Sequence, residues 1–164
     1  MKGYTPVAPL TGSDHLDAFR SGERSLDHWL VERALANQVA GFSRTYVTTD
    51  GERVVGYHAV SSFAILRTHA TRRAGRQGPQ QIPAVLLGRL AVDEEHKGNG
   101  LGAGLLRHAM ELTVAAGETI GVRLLVVNAL HHEAARFYQR FGFAPSPTNP
   151  LDLMITVQDI VASM

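Results

Sequence analysis

Residues 86–106 read LLGRLAVDEEHKGNGLGAGLL, an apolar run followed by acids, four alternating glycines and a helix-forming segment. Glycine costs a helix about 1 kcal/mol against alanine. Glycines at 98, 100, 102 and 104 therefore need a reason other than helix stability. The near-continuous apolar run predicts a central strand buried on both faces. At a strand-to-helix junction the first N–H groups have no intrahelical partner, and the helix dipole is positive. Small residues there let a phosphate touch several N–H groups together, with Lys97 adding a charge from the edge. The plainer alternative is a tight turn that lets helix and sheet pack closely. The spacing is not the G-x-G-x-x-G of a dinucleotide fold, and no Gly-Lys-Ser/Thr marks a P-loop.

Working outward, PAVLLGRLAV (83–92) is the strand, and Gly88 in it predicts a bulge or a close backbone approach. LGAGLLRHAMELTVAAG (101–117) predicts a helix ending near Gly117, and GVRLLVV (121–127) a second buried strand. HHEAARFYQRFGF (131–143) predicts a short helix stopped by Gly142, and LDLMITV (151–157) a last strand. This order implies an α/β fold with a mixed sheet and crossover connections.

Upstream, GERSLDHWLVERALANQVAG (22–41) predicts a helix capped by Ser25, with Leu26, Trp29, Leu30 and Ala34 on one face and Gly41 at its end. SRTYVTT (43–49) and RVVGYHAVSSFAI (53–65) predict a hairpin about Asp50-Gly51. RTHATRRAGRQGPQQ (67–81) lacks periodicity and predicts a long loop, a kind usually functional or mobile in a compact domain.

The chain has 164 residues, enough for one domain with a proper core. It has no cysteine, which excludes disulfides, thiolate nucleophiles and cysteine-held zinc. The eight histidines are scattered without an H-x-x-x-H pair, and His131 and His132 point to different helix faces, so no metal is expected. No apolar run is long enough to span a membrane and no leader pattern opens the chain, so a cytoplasmic address with no membrane partner is expected. The net charge of +1 says nothing of partners, but its distribution does. No acid falls between Glu52 and Asp93, where Arg67, Arg72, Arg73, Arg76 and Arg89 all lie. A one-signed block in a balanced protein attracts a polyanion locally, although many such runs are only solvated loops.

Together, residues 86–106 and LLVVNALHHEAARFYQRFGF (124–143) resemble the GNAT superfamily of acyl-CoA-dependent N-acetyltransferases. The resemblance implies a single domain over 1–164, with a central, mostly antiparallel sheet whose middle strands splay, flanked by helices. It implies acetyl-CoA as co-substrate. The family's Q/R-x-x-G-x-G/A turn, which binds the coenzyme A pyrophosphate, matches Lys97, Gly100 and Gly102, with Gly98, Asn99 and Leu101 between. Lys97 departs from the usual glutamine or arginine, keeping a cation without the planar fork. Main-chain groups around Leu90 and Val92 are implied to hold the acetyl carbonyl and pantetheine, and Asn128 to touch the cofactor. Tyr138 matches the tyrosine that faces the departing sulfur, whereas on spacing alone it reads as a core aromatic beside Phe137 and Phe141. His131 stands where many members carry asparagine.

A narrower likeness runs from about Pro9 to Val157 through SGERSLDHWLVERALANQ (21–38), SRTYV (43–47), GERVVGY (51–57), the loop from Arg72-Arg73 to Ile82-Pro83, and LGRLAVD (87–93). It resembles the GNAT toxins of bacterial toxin–antitoxin pairs, which acetylate the α-amino group of aminoacyl-tRNA and block translation. That implies an aminoacyl-tRNA substrate, a ribbon-helix-helix antitoxin and a homodimer. Arg72, Arg73 and Arg76 would then meet RNA phosphates, with steep salt dependence. An α-amino group has a pKa near 7.7–8.0, so no strong base is required and the sequence shows no carboxylate dyad. Two alternatives remain at this level: a GNAT enzyme acting on a small amine, peptide or protein N-terminus, and a non-catalytic acyl-CoA-binding module.

Overall fold

The computed structural model describes residues 3–51 and 53–164; Met1 and Lys2, and Glu52 beside the expected hairpin turn, lie outside the described residues. The chain divides into two units, Met1–Ser61 with Gly88–Ala109 and Ser62–Leu87 with Met110–Met164.

The first unit opens with β1 (Ala8–Pro9), then α1 (Arg24–Glu32) and α2 (Ala34–Ala40). The single helix expected over 22–41 is divided at Arg33, where φ is −126°. Its start also precedes Ser25. The Ser21 N–H donates to the Asp27 carboxylate at 3.1 Å, so an acid in the first turn does the tethering expected of a capping serine. Gly41 ends α2 at φ +86°, as its position predicts. Leu26, Leu30 and Ala34 are buried, packing with Phe19, Val54 and Tyr57 into one core. The Tyr57 hydroxyl donates to the Leu26 carbonyl at 2.7 Å, and Trp29 stacks on its ring at 6.1 Å.

β2 (Arg44–Asp50) and β3 (Arg53–Leu66) form the hairpin, closing at Asp50↔Arg53, so Gly51 leads the turn rather than ending it. Gly51 has φ +70°. His58, fully buried on β3, shares a 2.9 Å hydrogen bond with His108, and Tyr46 stacks on it at 5.1 Å. Burial and the neighbouring His108 press the His58 imidazole down to about 3, so it is neutral in ordinary buffers. At Gly56 a Cβ would meet Leu105 Cδ1 at 3.0 Å and Thr48 Cγ2 at 3.1 Å, which explains a glycine inside a strand.

The segment expected to be a long loop is largely structured. It holds a 3₁₀ turn, Arg67–His69, and a one-turn helix α3 (Arg72–Gly75), whose first turn is capped by the Thr71 hydroxyl accepting from Ala74 N–H at 3.1 Å. β4 (Gln81–Val92) follows. It is not buried on both faces: Ile82, Ala84, Leu87 and Ala91 are buried, whereas Val85, Leu86, Leu90 and Val92 are half-buried and Gly88 is exposed. No close approach marks Gly88, since a Cβ there would lie 4.0 Å from the Ala59 carbonyl oxygen, an ordinary contact.

α4 (Leu101–Thr119) runs past Gly117, the expected end. β5 (Leu124–Asn128), α5 (His132–Gln139), β6 (Ala144–Pro145), β7 (Asp152–Thr156) and α6 (Val157–Ser163) complete the chain. α5 stops before Gly142, which turns the chain at φ +94°. The short β1, β6 and α6 carry too little periodicity to be read in advance. The seven strands order as β1-β2-β3-β4-β5-β7-β6. β4 and β5 are parallel, from Ala84↔Leu124 to Leu87↔Val127, and β5 pairs antiparallel with β7. The sheet is therefore mixed, with helices around it. The second unit's core gathers Ile65, Ala74, Ile82, Leu124, Val126 and Met154. Among the described residues no helix is long and apolar enough to cross a membrane.

Candidate active site

The turn between β4 and α4 is held by residues that flank it. Asp93, 1% exposed, follows the strand directly. Its Oδ2 accepts the Arg20 N–H at 3.0 Å and Arg53 Nη2 at 3.1 Å, and its Oδ1 accepts the Glu95 N–H at 3.0 Å. Burial pushes this carboxyl up, but the N–H groups of Arg20 and Glu95 and the Arg53 guanidinium outweigh it and hold it below the usual carboxylate range. Asp93, Glu95 and His96 place ligand-type atoms within 4.8 Å of one another. The Asp93 oxygens are already taken by those structural donors, so the cluster serves to anchor the turn.

Beyond it, Gly98 and Gly100 adopt φ +82° and +79°, the left-handed region that glycine enters without strain. A Cβ at either position would meet nothing within 4 Å, so the backbone is open to an approaching group. The Gly104 N–H donates to the Gly100 carbonyl at 3.0 Å as the first bond of α4. The N–H groups of Leu101, Gly102 and Ala103 therefore precede any intrahelical acceptor. Lys97 Nζ donates to the Ser21 carbonyl at 2.9 Å, and Asn99 Nδ2 to the His96 carbonyl at 2.9 Å. Both side chains brace the turn. The open amides, the helix dipole and the vacant space over two glycines fit a diphosphate. Leu90 and Val92, on the last turn of pleat in β4, lie in the same unit.

Tyr138, on α5 in the second unit, is 6% exposed. Its ring meets Phe137 edge-on at 5.2 Å and Phe143 at 5.7 Å. Burial raises its phenol above the usual range, so the hydroxyl keeps its proton at any ordinary pH. The ring is packed as a core aromatic, and its hydroxyl is protonated. His131 caps α5, its Nδ1 accepting the Ala134 N–H at 3.1 Å, a bond that an asparagine side-chain oxygen can also make. Asn128 ends β5, exposed, opposite Asp152 of β7.

The arginines differ from one another. Arg89 lies over the Trp29 ring at 4.7 Å, and Arg67 Nη1 donates to the Gly78 carbonyl at 2.7 Å. Arg73 forms a two-pronged pair with Asp159, Nε to Oδ2 and Nη2 to Oδ1, both at 2.7 Å. Arg72 and Arg76 are exposed and make no hydrogen bond or ion pair among the described residues. Of the residues missed from sequence, Asp93 had a signal, an acid set directly between strand and glycines. Asp159 had none, because it stands 86 positions from its partner.

Comparison with known proteins follows this geometry. A family model described as an acetyltransferase (GNAT) domain matches residues 27–145. A protein of Mycobacterium tuberculosis described as a tRNA-acetylating toxin is 45% identical over 159 residues, covering 97% of this chain and 96% of that one. The AtaT protein complexed with acetyl-methionyl-tRNAfMet superimposes with a TM-score of 0.90 at 28% identity, covering 98% of this chain and 99% of that one. A tyrosine-to-phenylalanine variant of the AtaT toxin, bound to the C-terminus of the antitoxin AtaR and acetyl-CoA, gives a TM-score of 0.83 at 28% identity, covering 98% and 97%.

Proposed function

For this chain, which belongs to the GNAT family of acetyltransferases, we propose the activity of a toxin that transfers an acetyl group from acetyl-CoA to the α-amino group of aminoacyl-tRNA and so inhibits translation. The observation that carries the donor half is the turn at Gly98 and Gly100, whose open amides fit the diphosphate of coenzyme A. Acetyl-CoA supplies the activated thioester. The backbone of Gly98, Asn99, Gly100, Leu101 and Gly102 grips the diphosphate, with Lys97 as a brace rather than a fork. Main-chain groups of Leu90 and Val92 orient the acetyl and pantetheine groups, and Asn128 adds a polar contact.

The acceptor amine is largely neutral near its pKa. Its attack forms the C–N bond and breaks the C–S bond. Tyr138 gives the leaving sulfur its hydroxyl proton, which burial has kept in place, and the proton that the nitrogen sheds on becoming an amide passes to water, from which the phenol is restored. Arg72 and Arg76 meet RNA phosphates, since theirs are the guanidinium groups of the segment 67–81 that pair with none of the described residues. The toxin reading brings with it a cytoplasmic address, a homodimer and neutralisation by a ribbon-helix-helix antitoxin. The AtaT toxin bound to the C-terminus of its antitoxin supports the last of these in kind.

The test is incubation with labelled acetyl-CoA and charged tRNA. Label on the α-amino group of the aminoacyl end is the expected result. No label with any isoacceptor, alongside transfer to a small amine or peptide, replaces the tRNA reading with a different acceptor. Coenzyme A binding without any transfer replaces it with a non-catalytic module.

A further inference from the structure

The segment 67–81 is gripped at several places within its own unit: the Ser146 hydroxyl donates to the His69 carbonyl at 2.5 Å, Thr148 shares a 2.8 Å hydrogen bond with His69 Nδ1, and the Thr71 N–H donates to Met154 Sδ at 3.4 Å. The Arg67 guanidinium holds the Gly78 carbonyl, and the Arg67 N–H donates to the Gln80 carbonyl at 2.9 Å. Arg123, just before β5, donates Nη2 to the Arg73 carbonyl at 3.0 Å and Nε to the Ala74 carbonyl at 3.2 Å, closing the C-terminal end of α3. The Val157 N–H donates to the Arg123 carbonyl at 2.9 Å, which brings the start of α6 to the same place. From the first turn of α6, Asp159 then takes both prongs of Arg73.

This last pair is exposed, Arg73 at 62% and Asp159 at 39%. Exposed ion pairs add little to stability, so stability alone is a weak reason for it. What the pair does change is which cations face solvent. The bidentate carboxylate occupies the Nε–Nη2 edge of the guanidinium, one of the two edges that can grip a phosphate, and offsets its charge. Arg73 is electrically cancelled, while its neighbours Arg72 and Arg76 are not. The Arg73–Asp159 fork adds a side-chain hold to those that Arg67, Arg123, Ser146 and Met154 keep on the backbone carrying all three.

We propose that Asp159 is a positioning residue for the RNA substrate: it removes Arg73 from phosphate binding and uses it to pin α3, so that Arg72 and Arg76 are presented in one fixed arrangement. The inference rests on the aminoacyl-tRNA reading above. It has an unusual sign. If Arg73 were a phosphate ligand, Asp159 would be its competitor, and removing the acid would tighten substrate. If Asp159 positions the segment, removing the acid weakens substrate.

Steady-state acetylation of charged tRNA at several salt concentrations separates the two for Asp159→Asn, Arg73→Ala, the double variant Arg73→Ala/Asp159→Ala, and the charge swap Arg73→Asp/Asp159→Arg. The expected result is a KM for tRNA raised about three- to fivefold in both single variants. kcat and the salt slope stay near wild type, the double variant is no worse than either single, and the swap recovers most of the loss. A KM that falls in Asp159→Asn, with a salt slope steeper by about one, overturns the inference alone. So does an unchanged KM in Asp159→Asn with a lowered melting temperature, which leaves a merely structural pair. A wild-type protein that acetylates no charged tRNA removes the premise and the inference with it.

Discussion

The glycine turn at 97–104 and the arginine segment at 67–81 are both suited to phosphate, and they are built in opposite ways. In the turn the groups proposed to recognise it are main-chain amides, and the side chains Asp93, Lys97 and Asn99 hold the backbone still. In the arginine segment the groups proposed to recognise phosphate are side chains, and two of its four arginines are engaged elsewhere: Arg67 on a carbonyl and Arg73 on a carboxylate. An amide grip depends on local φ angles, which distant partners such as Arg20, Arg53 and Ser21 steady without competing for the amides. A side-chain grip is available only where no other part of the protein has claimed the charge.

Substitutions can break this contrast or sharpen it. The largest effect is expected at neither region but at Tyr138, the proposed proton donor to sulfur. Tyr138→Phe should lower kcat by about 10²–10⁴-fold, with the KM for acetyl-CoA unchanged, as the proposed diphosphate grip by the amides requires; a loss confined to KM would assign Tyr138 to binding. Asp93→Ala leaves the N–H groups of Arg20 and Glu95 and the Arg53 guanidinium without their acceptor. It should cost about 3 kcal/mol in denaturant unfolding and weaken acetyl-CoA in calorimetry. Intact affinity for the donor would show that the turn needs no anchor.

Acid should act on the first unit through His58, neutral when folded with its pKa near 3 and about 6.5 when unfolded. Its depressed value means that stability is complete above about pH 6.5 and falls as pH drops toward 3. Between pH 7 and pH 5 the loss should be about 2 kcal/mol, and His58→Gln should abolish that part of it in unfolding curves taken across the range. The gentlest change is in the arginine segment. Arg72→Ala and Arg76→Ala should each weaken tRNA modestly and reduce the salt slope by about one, leaving acetyl-CoA affinity untouched. Unaltered slopes in both would move RNA binding to another surface.

How much was legible follows the same division. The strand, turn and helix at 86–119 were readable because apolar runs and glycine spacing act over a few neighbours, and Gly98 and Gly100 do take the backbone conformation that only glycine holds cheaply. The helix over 22–41 was readable in its buried face, Leu26, Leu30 and Ala34, but not in its break at Arg33. The segment 67–81 was misread as irregular, since a one-turn helix needs no periodicity when Thr71 caps it and Arg123 closes it from another element.

From the sequence alone came the order of the main elements and the left-handed glycines at 98 and 100, because each rests on spacing within a short stretch. Tertiary structure alone decided that the block without acids is not without acidic partners. Asp159 reaches Arg73 from α6, and an ion pair depends on distance in space, to which position along the chain is no guide.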